Sequence, residues 1–529
     1  MRLVRTSDLL CAVALLLAPI RPLAAQSRWR TEDRVVLGSM LRIQAVASSF
    51  DRLFVVGGGR VMYQDLGRPG WQGPFDAPVD AEFLDVRGSI VDPLDRSLWV
   101  VTGSGWLRYD PTLDRWDRGF AGGQVVAAGL DRGRPVDGLY LRLPTGWMVA
   151  TRGGGIVTPA AEAPRPGQFI SIGTLDEAAR ANPQLGGMLS GTLMAPGLRT
   201  VRLNAAAPAA DQSGWWLGTD GAGLYWLPFG SVIPERRSWG LPGDEVGGVF
   251  AVPGGAWAVT DESLEGDAAL VFVPEALDHF DWYFGDRVFG QPFRAVRVVH
   301  VVDSLVWAGT DQGAVAFDRH GVRVRRLDER DGLADRRILS IAARRGRLVL
   351  GTAAGVAEVS DSGVQRLAPN FVSPALALAL SGDTTWVGTS IGLFATLPGM
   401  GDLRSAPGWD GVDLARHPVT ALLWRGDTLV ALTDRAVVWR DPGTGHWTVG
   451  PDLDQRVGRT HALADGRDGV WVAGSLGLGF ARLGGPVMRL LASGDDLPGE
   501  AWDVSIDGDR IWVATPHGLV RFRRQAVEP

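Results

Sequence analysis

The side chains with the most chemical scope recur at one place in a repeated phrase. Asp220, Asp311, Gln312, Asp434, Arg435 and His517 each stand one or two positions after a threonine: Thr219-Asp220, Thr310-Asp311-Gln312, Thr433-Asp434-Arg435 and Thr515-Pro516-His517. The frame persists from copy to copy while these positions change chemistry, as in a rigid scaffold that presents variable groups to a ligand. Asp220 and Asp311 are also acids. If they faced each other across a cleft they could cleave a glycosidic bond, a reaction that needs two carboxyl groups ~5–10 Å apart. The bland reading is that Asp and Gln stand there because they satisfy turn backbone. A second cluster is aromatic. Residues 279–289, HFDWYFGDRVF, set Trp282 and Tyr283 beside Asp281, Asp286 and Arg287. That mixture suits carbohydrate or peptide binding, and it equally suits an outer strand followed by a packed loop.

Other chemistries lack their residues. The chain has no lysine, so a Walker-type phosphate lysine, a Schiff-base lysine and a kinase strand lysine are all excluded. The seven histidines show no metal-ligand spacing, and the one cysteine, Cys11, cannot assist them. Gly474-Ser475-Leu476-Gly477 has Ala473 where a nucleophile elbow needs glycine. The acidic clusters at 465–468, 495–496 and 507–509 read as hairpin-turn carboxylates. Residues 323–347 hold nine arginines with four carboxylates among them and read as a solvated face. No catalytic residue, metal or cofactor is therefore expected.

The elements that carry these groups repeat. Trp386-Val-Gly-Thr-Ser-Ile-Gly392 reads as strand, tight turn, strand, and copies stand at Trp307–Gly313, Val349–Gly355 and Trp512–Gly518. Anchors equivalent to Trp386 are Phe54, Trp99, Tyr140, Trp216, Trp257, Trp307, Val349, Val430, Trp471 and Trp512. Their spacing is 37 to 50 residues, save for 76 between Tyr140 and Trp216. A four-stranded propeller blade takes about 40–50 residues. The fold class is accordingly all-β, a β-propeller of 11 to 12 blades. Because a ring commonly holds about 4–8 blades, two propellers are expected, one over residues 26–230 and one over 231–529. The long gap is read as an insertion at about 152–197, with a capped helix start at Thr174, rather than as a degenerate blade. The last blade has three strands, and the strand at 28–36 is expected to close it.

A second phrase, Gly240-Leu241-Pro242, Gly332-Leu333-Ala334 and Asp496-Leu497-Pro498, leads into the innermost strand of the next blade. Together the two phrases resemble the two-component-regulator propeller repeats. That resemblance implies a periplasmic, ligand-sensing propeller, here with no kinase segment after Arg523. Arg2 and Arg5 precede an apolar run and Ala24-Ala25, so residues 1–25 read as a cleavable signal peptide. Removing them leaves 50 arginines against 58 acidic residues, a balance that argues against nucleic acid as a partner. No membrane span is expected in the mature chain, and the location is periplasmic or secreted. The function expected is a non-catalytic ligand- or partner-binding propeller, with an oligosaccharide or an envelope protein as partner. The alternatives are a polysaccharide-cleaving hydrolase or lyase, and an envelope assembly or secretion factor.

Overall fold

The computed structural model describes residues 29–528, apart from 31, 50, 66–70, 77–84, 136, 153–156, 173–190, 196–198, 210, 232, 238, 262–267 and 397–400. The expected leader and the helix start at Thr174 lie outside the described residues. The described chain forms eleven antiparallel sheets, nine of four strands and two of five, which are the blades of a β-propeller. We number them in chain order. Blades 1 to 4 cover residues 43–76, 86–120, 127–171 and 192–237. Blades 5 to 10 cover 246–284, 296–327, 338–366, 377–405, 419–449 and 460–492, and blade 11 covers 503–523.

Burial explains the sequence pattern of each blade. The second strand is covered on both faces by the neighbouring blades, so Gly255–Thr260 and Leu98–Thr102 are buried throughout. The outer strands face solvent and read as polar, as in Arg323–Leu327. Ten of the eleven anchors are buried, Trp99, Trp471 and Trp512 at 0–1% exposure, and Trp216 is partly buried. Rings of neighbouring strands then touch, as Trp99 does with Trp106 (centroids 5.0 Å) and Trp471 with Phe480 (5.0 Å).

The Thr-x-x-Gly phrase is a staple for the hairpin between second and third strands. The Thr310 hydroxyl donates to the Gly313 carbonyl (2.8 Å) and accepts from the Gln312 N–H (2.9 Å). Thr389 and Thr515 repeat the arrangement with Gly392 (2.9 Å) and Gly518 (2.7 Å). Each of these threonines is fully buried, so the staple satisfies groups that would otherwise be orphaned at a cost of about 1–3 kcal/mol. The closing glycine has two reasons. Gly518 has φ +131°, and a Cβ there would sit 2.3 Å from the Leu37 carbonyl oxygen.

That carbonyl belongs to the strand Arg34–Leu37, which pairs antiparallel with Gly518–Arg523 and supplies the fourth strand of blade 11. The chain then leaves through residues 38–42 to blade 1, and it comes back from blade 4 to blade 5 through residues 239–245. The two crossings run side by side. Ser39 forms a parallel bridge with Leu241, Leu241 N–H donates to Gly38 O (3.2 Å), and Ser39 N–H donates to Asp244 Oδ1 (2.7 Å). Leu241, Leu333 and Leu497 of the second phrase are all buried, so this leucine is a plug between blades.

In blades 5 to 11 each first strand lies against the first strand of the next blade, and Asp503–Asp507 of blade 11 lies against Val246–Val252 of blade 5. Blade 1 sits between blades 4 and 2, while blades 2 and 3 share an apolar cluster around Trp99, Trp106 and Leu141. Within the 76-residue gap, the described strands Phe169–Ser171 and Thr192–Ala195 add to the inner edges of blades 3 and 4.

The seam between blades 5 and 11 is held by Asp503. Its Oδ2 accepts from Val249 N–H (2.9 Å) and its Oδ1 from Val504 N–H (2.8 Å), and the Ser505 hydroxyl accepts from Ala251 N–H (2.9 Å). Burial pushes the carboxyl up to about 6, although both amide bonds pull it down. A carboxyl raised above its unfolded value is a charge the fold carries at neutral pH and sheds as pH falls. We therefore predict that the contribution of Asp503 to stability improves between pH 7 and pH 5. In denaturant titrations, Asp503→Asn should lose that part of the pH slope; equal slopes in parent and variant would contradict the assignment.

Candidate functional site

Of the six rim candidates, Asp311 and Gln312 open into one cavity of about 830 Å³. Three segments build it. The hairpin of blade 6 brings Asp311 and Gln312, the connection from blade 5 brings Gln291 and Arg294, and the outer strand of blade 6 with the connection that follows it into blade 7 brings Arg326, Asp328, Glu329, Arg330 and residues 335–337. That last connection is fixed by its own sequence. Asp328 caps the 3-10 turn Glu329–Asp331 by accepting from Arg330 N–H (2.8 Å), Asp331 accepts from Asp328 N–H (2.8 Å), and Gly332 ends the turn at φ 112°. Leu333, buried behind it, ties the turn to the blade 6–blade 7 core.

Every lining residue is polar or charged, five arginines with four carboxylates and two glutamines. Three of the carboxylates are engaged. Asp311 holds Arg297 through two contacts (2.6 and 3.2 Å), Asp335 holds Arg337 through two (both 3.1 Å), and Asp328 lies 3.9 Å from Arg326. The bond from Arg337 keeps the Asp335 carboxyl below its ordinary range. Arg326 also lies over the Phe289 ring at 4.3 Å. The guanidinium groups of Arg294, Arg330 and Arg336 form no ion pair or hydrogen bond among the described residues, and all three side chains are exposed. The Gln312 Oε1 atom is buried with no donor among the described residues.

The remaining candidates lie elsewhere on the blades. Asp220 of blade 4 pairs with Arg42 at 2.6 Å, beside the outward crossing. The Asp434 carboxylate bonds the imidazole of His417 (Nδ1, 2.8 Å), and Arg435 lies 3.4 Å from Asp452. His517 is exposed on the hairpin of blade 11. These residues stand on hairpins of three blades, Asp220 on blade 4, Asp434 and Arg435 on blade 9 and His517 on blade 11, and Asp220 does not line the cavity that holds Asp311.

Trp282 and Tyr283 are placed in packing rather than on the rim. They belong to Asp281–Phe284, the outer strand of blade 5. The Trp282 indole N–H donates to Gly240 O (3.0 Å) and its ring is covered by Arg236 at 4.8 Å, which fastens the returning crossing. Tyr283 is 7% exposed, lies against Trp257 and Phe317, and gives its hydroxyl to the Arg319 carbonyl. An outer strand normally shows one face to water; here the crossing and the neighbouring blade cover both.

The sequence reading passed over Arg294, Arg330 and Arg336. For Arg330 and Arg336 the signal was the run of arginines at 323–347, read as a solvated face, where the capping aspartate Asp328 and the glycine Gly332 mark a turn that gathers charge at one spot; Arg294 lies outside that run. Among the described residues no group of three or more His, Cys, Asp or Glu is placed to hold a metal ion. No helix among them is long and apolar enough to cross a membrane.

No family model matches the chain, and no curated protein matches it. Solved structures do. PorZ, a surface component of the type-IX secretion system of Porphyromonas gingivalis, is 10% identical with a TM-score of 0.50, over 93% of this chain and 87% of that one. The extracellular domain of BT4673 from B. thetaiotaomicron, a protein named for a one- or two-component system, is 14% identical with a TM-score of 0.43, over 92% and 70%. Virginiamycin B lyase from Staphylococcus aureus is 13% identical with a TM-score of 0.44, over 53% and 95%. At these identities the likeness extends to the fold alone, and PorZ carries it.

Proposed function

We propose that this chain is an exported, non-catalytic binding protein built as two propellers, which takes a ligand or partner on the rim of the second. Blades 5 to 11 form a ring of seven, and blades 1 to 4 form a smaller unit inserted between the closing strand Arg34–Leu37 and blade 5. The signal-peptide reading of residues 1–25 supports export. The rim cavity carries the binding reading. It is large, lined by groups that recognise rather than react, and three of its four carboxylates already hold arginines. The resemblance to two-component-regulator repeats makes the role sensor-like, with an oligosaccharide as ligand.

The second reading is an envelope assembly or secretion factor that docks other proteins, which the fold shared with PorZ brings forward. Cleavage of a polysaccharide stands lower. Asp220 and Asp311, the carboxylates that would perform it, lie on blades 4 and 6, and each is bound to its own arginine. A thermal-unfolding screen against oligosaccharides, with reducing ends measured in the same wells, tests the choice. Ligand at 100 times its dissociation constant adds about 2.7 kcal/mol, a visible shift of the midpoint. A shift without new reducing ends is expected. New ends would overturn the non-catalytic reading, and no shift across the panel would turn the search to protein partners.

A further inference from the structure

We infer that the rim cavity selects a carboxylated oligosaccharide, its acid groups bound by Arg294, Arg330 and Arg336. This rests on the binding reading above and names the ligand class. Among the described residues, three guanidinium groups at one cavity make no ion pair or hydrogen bond, Arg336 having only the nearby charge of Asp335, in a chain whose net charge is −6. A guanidinium is a planar fork of donors that matches a carboxylate through two parallel hydrogen bonds. Of the other arginines in the lining, Arg326 lies by Asp328 and Arg337 is paired with Asp335, while Asp311 is taken by Arg297 from outside it, so the guanidinium groups left to a ligand are these three. The cavity also offers two acceptors, the buried Gln312 Oε1, which has no donor among the described residues, and the exposed carboxylate of Glu329. A uronic acid supplies both halves, with a carboxylate for the arginines and ring hydroxyls for Gln312 and Glu329.

The lining contains no aromatic or aliphatic side chain. A peptide or protein partner is ordinarily anchored by buried aromatic or aliphatic residues in apolar pockets, and a neutral sugar here would leave three desolvated guanidinium groups without a counter-charge. The ligand must therefore bring its own charge and its own hydroxyl donors. Because the three arginines are exposed, salt should weaken the interaction.

The test is calorimetric titration of the purified protein with oligogalacturonate, with its methyl ester of the same length, and with a glutamate-rich peptide. We expect oligogalacturonate to bind at least tenfold more tightly than the ester or the peptide, and to weaken steeply between 50 mM and 500 mM salt. Arg294→Gln, Arg330→Gln and Arg336→Gln should each weaken it several-fold with an unchanged unfolding midpoint, since none supports the fold. Equal binding of acid and ester, with loss in Gln312→Leu, would overturn this inference and leave the binding reading standing. Tighter binding of the peptide would overturn the choice of a sugar. Binding that the three arginine variants do not alter would overturn the site, and no binding by any probe, including neutral oligosaccharides, would overturn both readings.

Discussion

Replacing Trp512 by alanine is expected to destabilise the protein by about 3–5 kcal/mol, because it removes a large buried side chain that its surroundings can only partly replace. Trp512 is 1% exposed and belongs to the apolar cluster that joins blades 1, 4, 5 and 11, including Val35 and Leu37 of the closing strand, Ile43, Ala205 and Val246. The loss therefore falls where the chain's first described strand meets its last blade and where the two crossings pass. Trp216, the equivalent anchor of blade 4, is only partly buried and lies tilted against Trp226, with ring centroids 4.7 Å apart. Its alanine variant should lose distinctly less. Urea denaturation of both variants checks the pair. Equal losses would mean that the anchors act through local strand stability and not through the shared core.

Arg108→Met is expected to cost about 3 kcal/mol for an electrostatic reason: removing the cation of a largely buried ionic group leaves its carboxylates short of counter-charge, with only Arg115 still reaching Asp117 (3.0 Å) and Ser97 still bonding Asp95 (2.6 Å). The Arg108 side chain is 5% exposed, and it donates to Asp95 (2.7 Å), Asp117 (3.0 Å) and the Ser97 hydroxyl (3.0 Å) inside blade 2. Next to it, Asp92 is wholly buried and bound by Arg152 (2.6 Å) and the Trp99 indole (3.2 Å). Burial alone would raise the Asp95 carboxyl, but hydrogen bonds from Ser97 and Arg108 bring it below its ordinary value. A carboxyl depressed in the fold adds stability above its unfolded value, and that stability is lost as pH falls below about 4. The parent should thus lose stability on acidification below pH 4, and Arg108→Met should lose less there. A variant with parental stability at pH 7 would show that the network contributes nothing net.

How much of this could be read from the chain depends on what each residue signals locally. The anchors were legible because a tryptophan alternating with small apolar residues has nowhere to go but between sheets. The Thr-x-x-Gly phrase was legible as a turn, and the structure adds its reason: a buried hydroxyl that both donates and accepts across the hairpin. Arg108 was not legible. In GWLRYD the residues Gly105–Tyr109 are all buried, and its closest partners Asp95 and Asp117 lie in a turn and on another strand, so only Asp110, 3.6 Å away, stands next to it in sequence. Trp282 and Tyr283 gave a misleading signal, since mixed aromatic and acidic residues look alike whether a face meets solvent or a crossing segment. The rim hairpins of Asp220, Asp311, Asp434 and His517 look equivalent in sequence. What sets Asp311 and Gln312 apart is the capped turn at 329–331 and the arginines it carries, a juxtaposition made by two connections that are distant in the chain.

The most direct measurement is hydrogen–deuterium exchange of the protein with and without saturating oligogalacturonate. If the rim cavity is the binding site, exchange slows in residues 291–297, 310–313 and 326–337 and stays the same in blades 1 to 4. Protection centred on blades 1 to 4, or on the outer strand Asp281–Phe284 with none at 310–313, would contradict it.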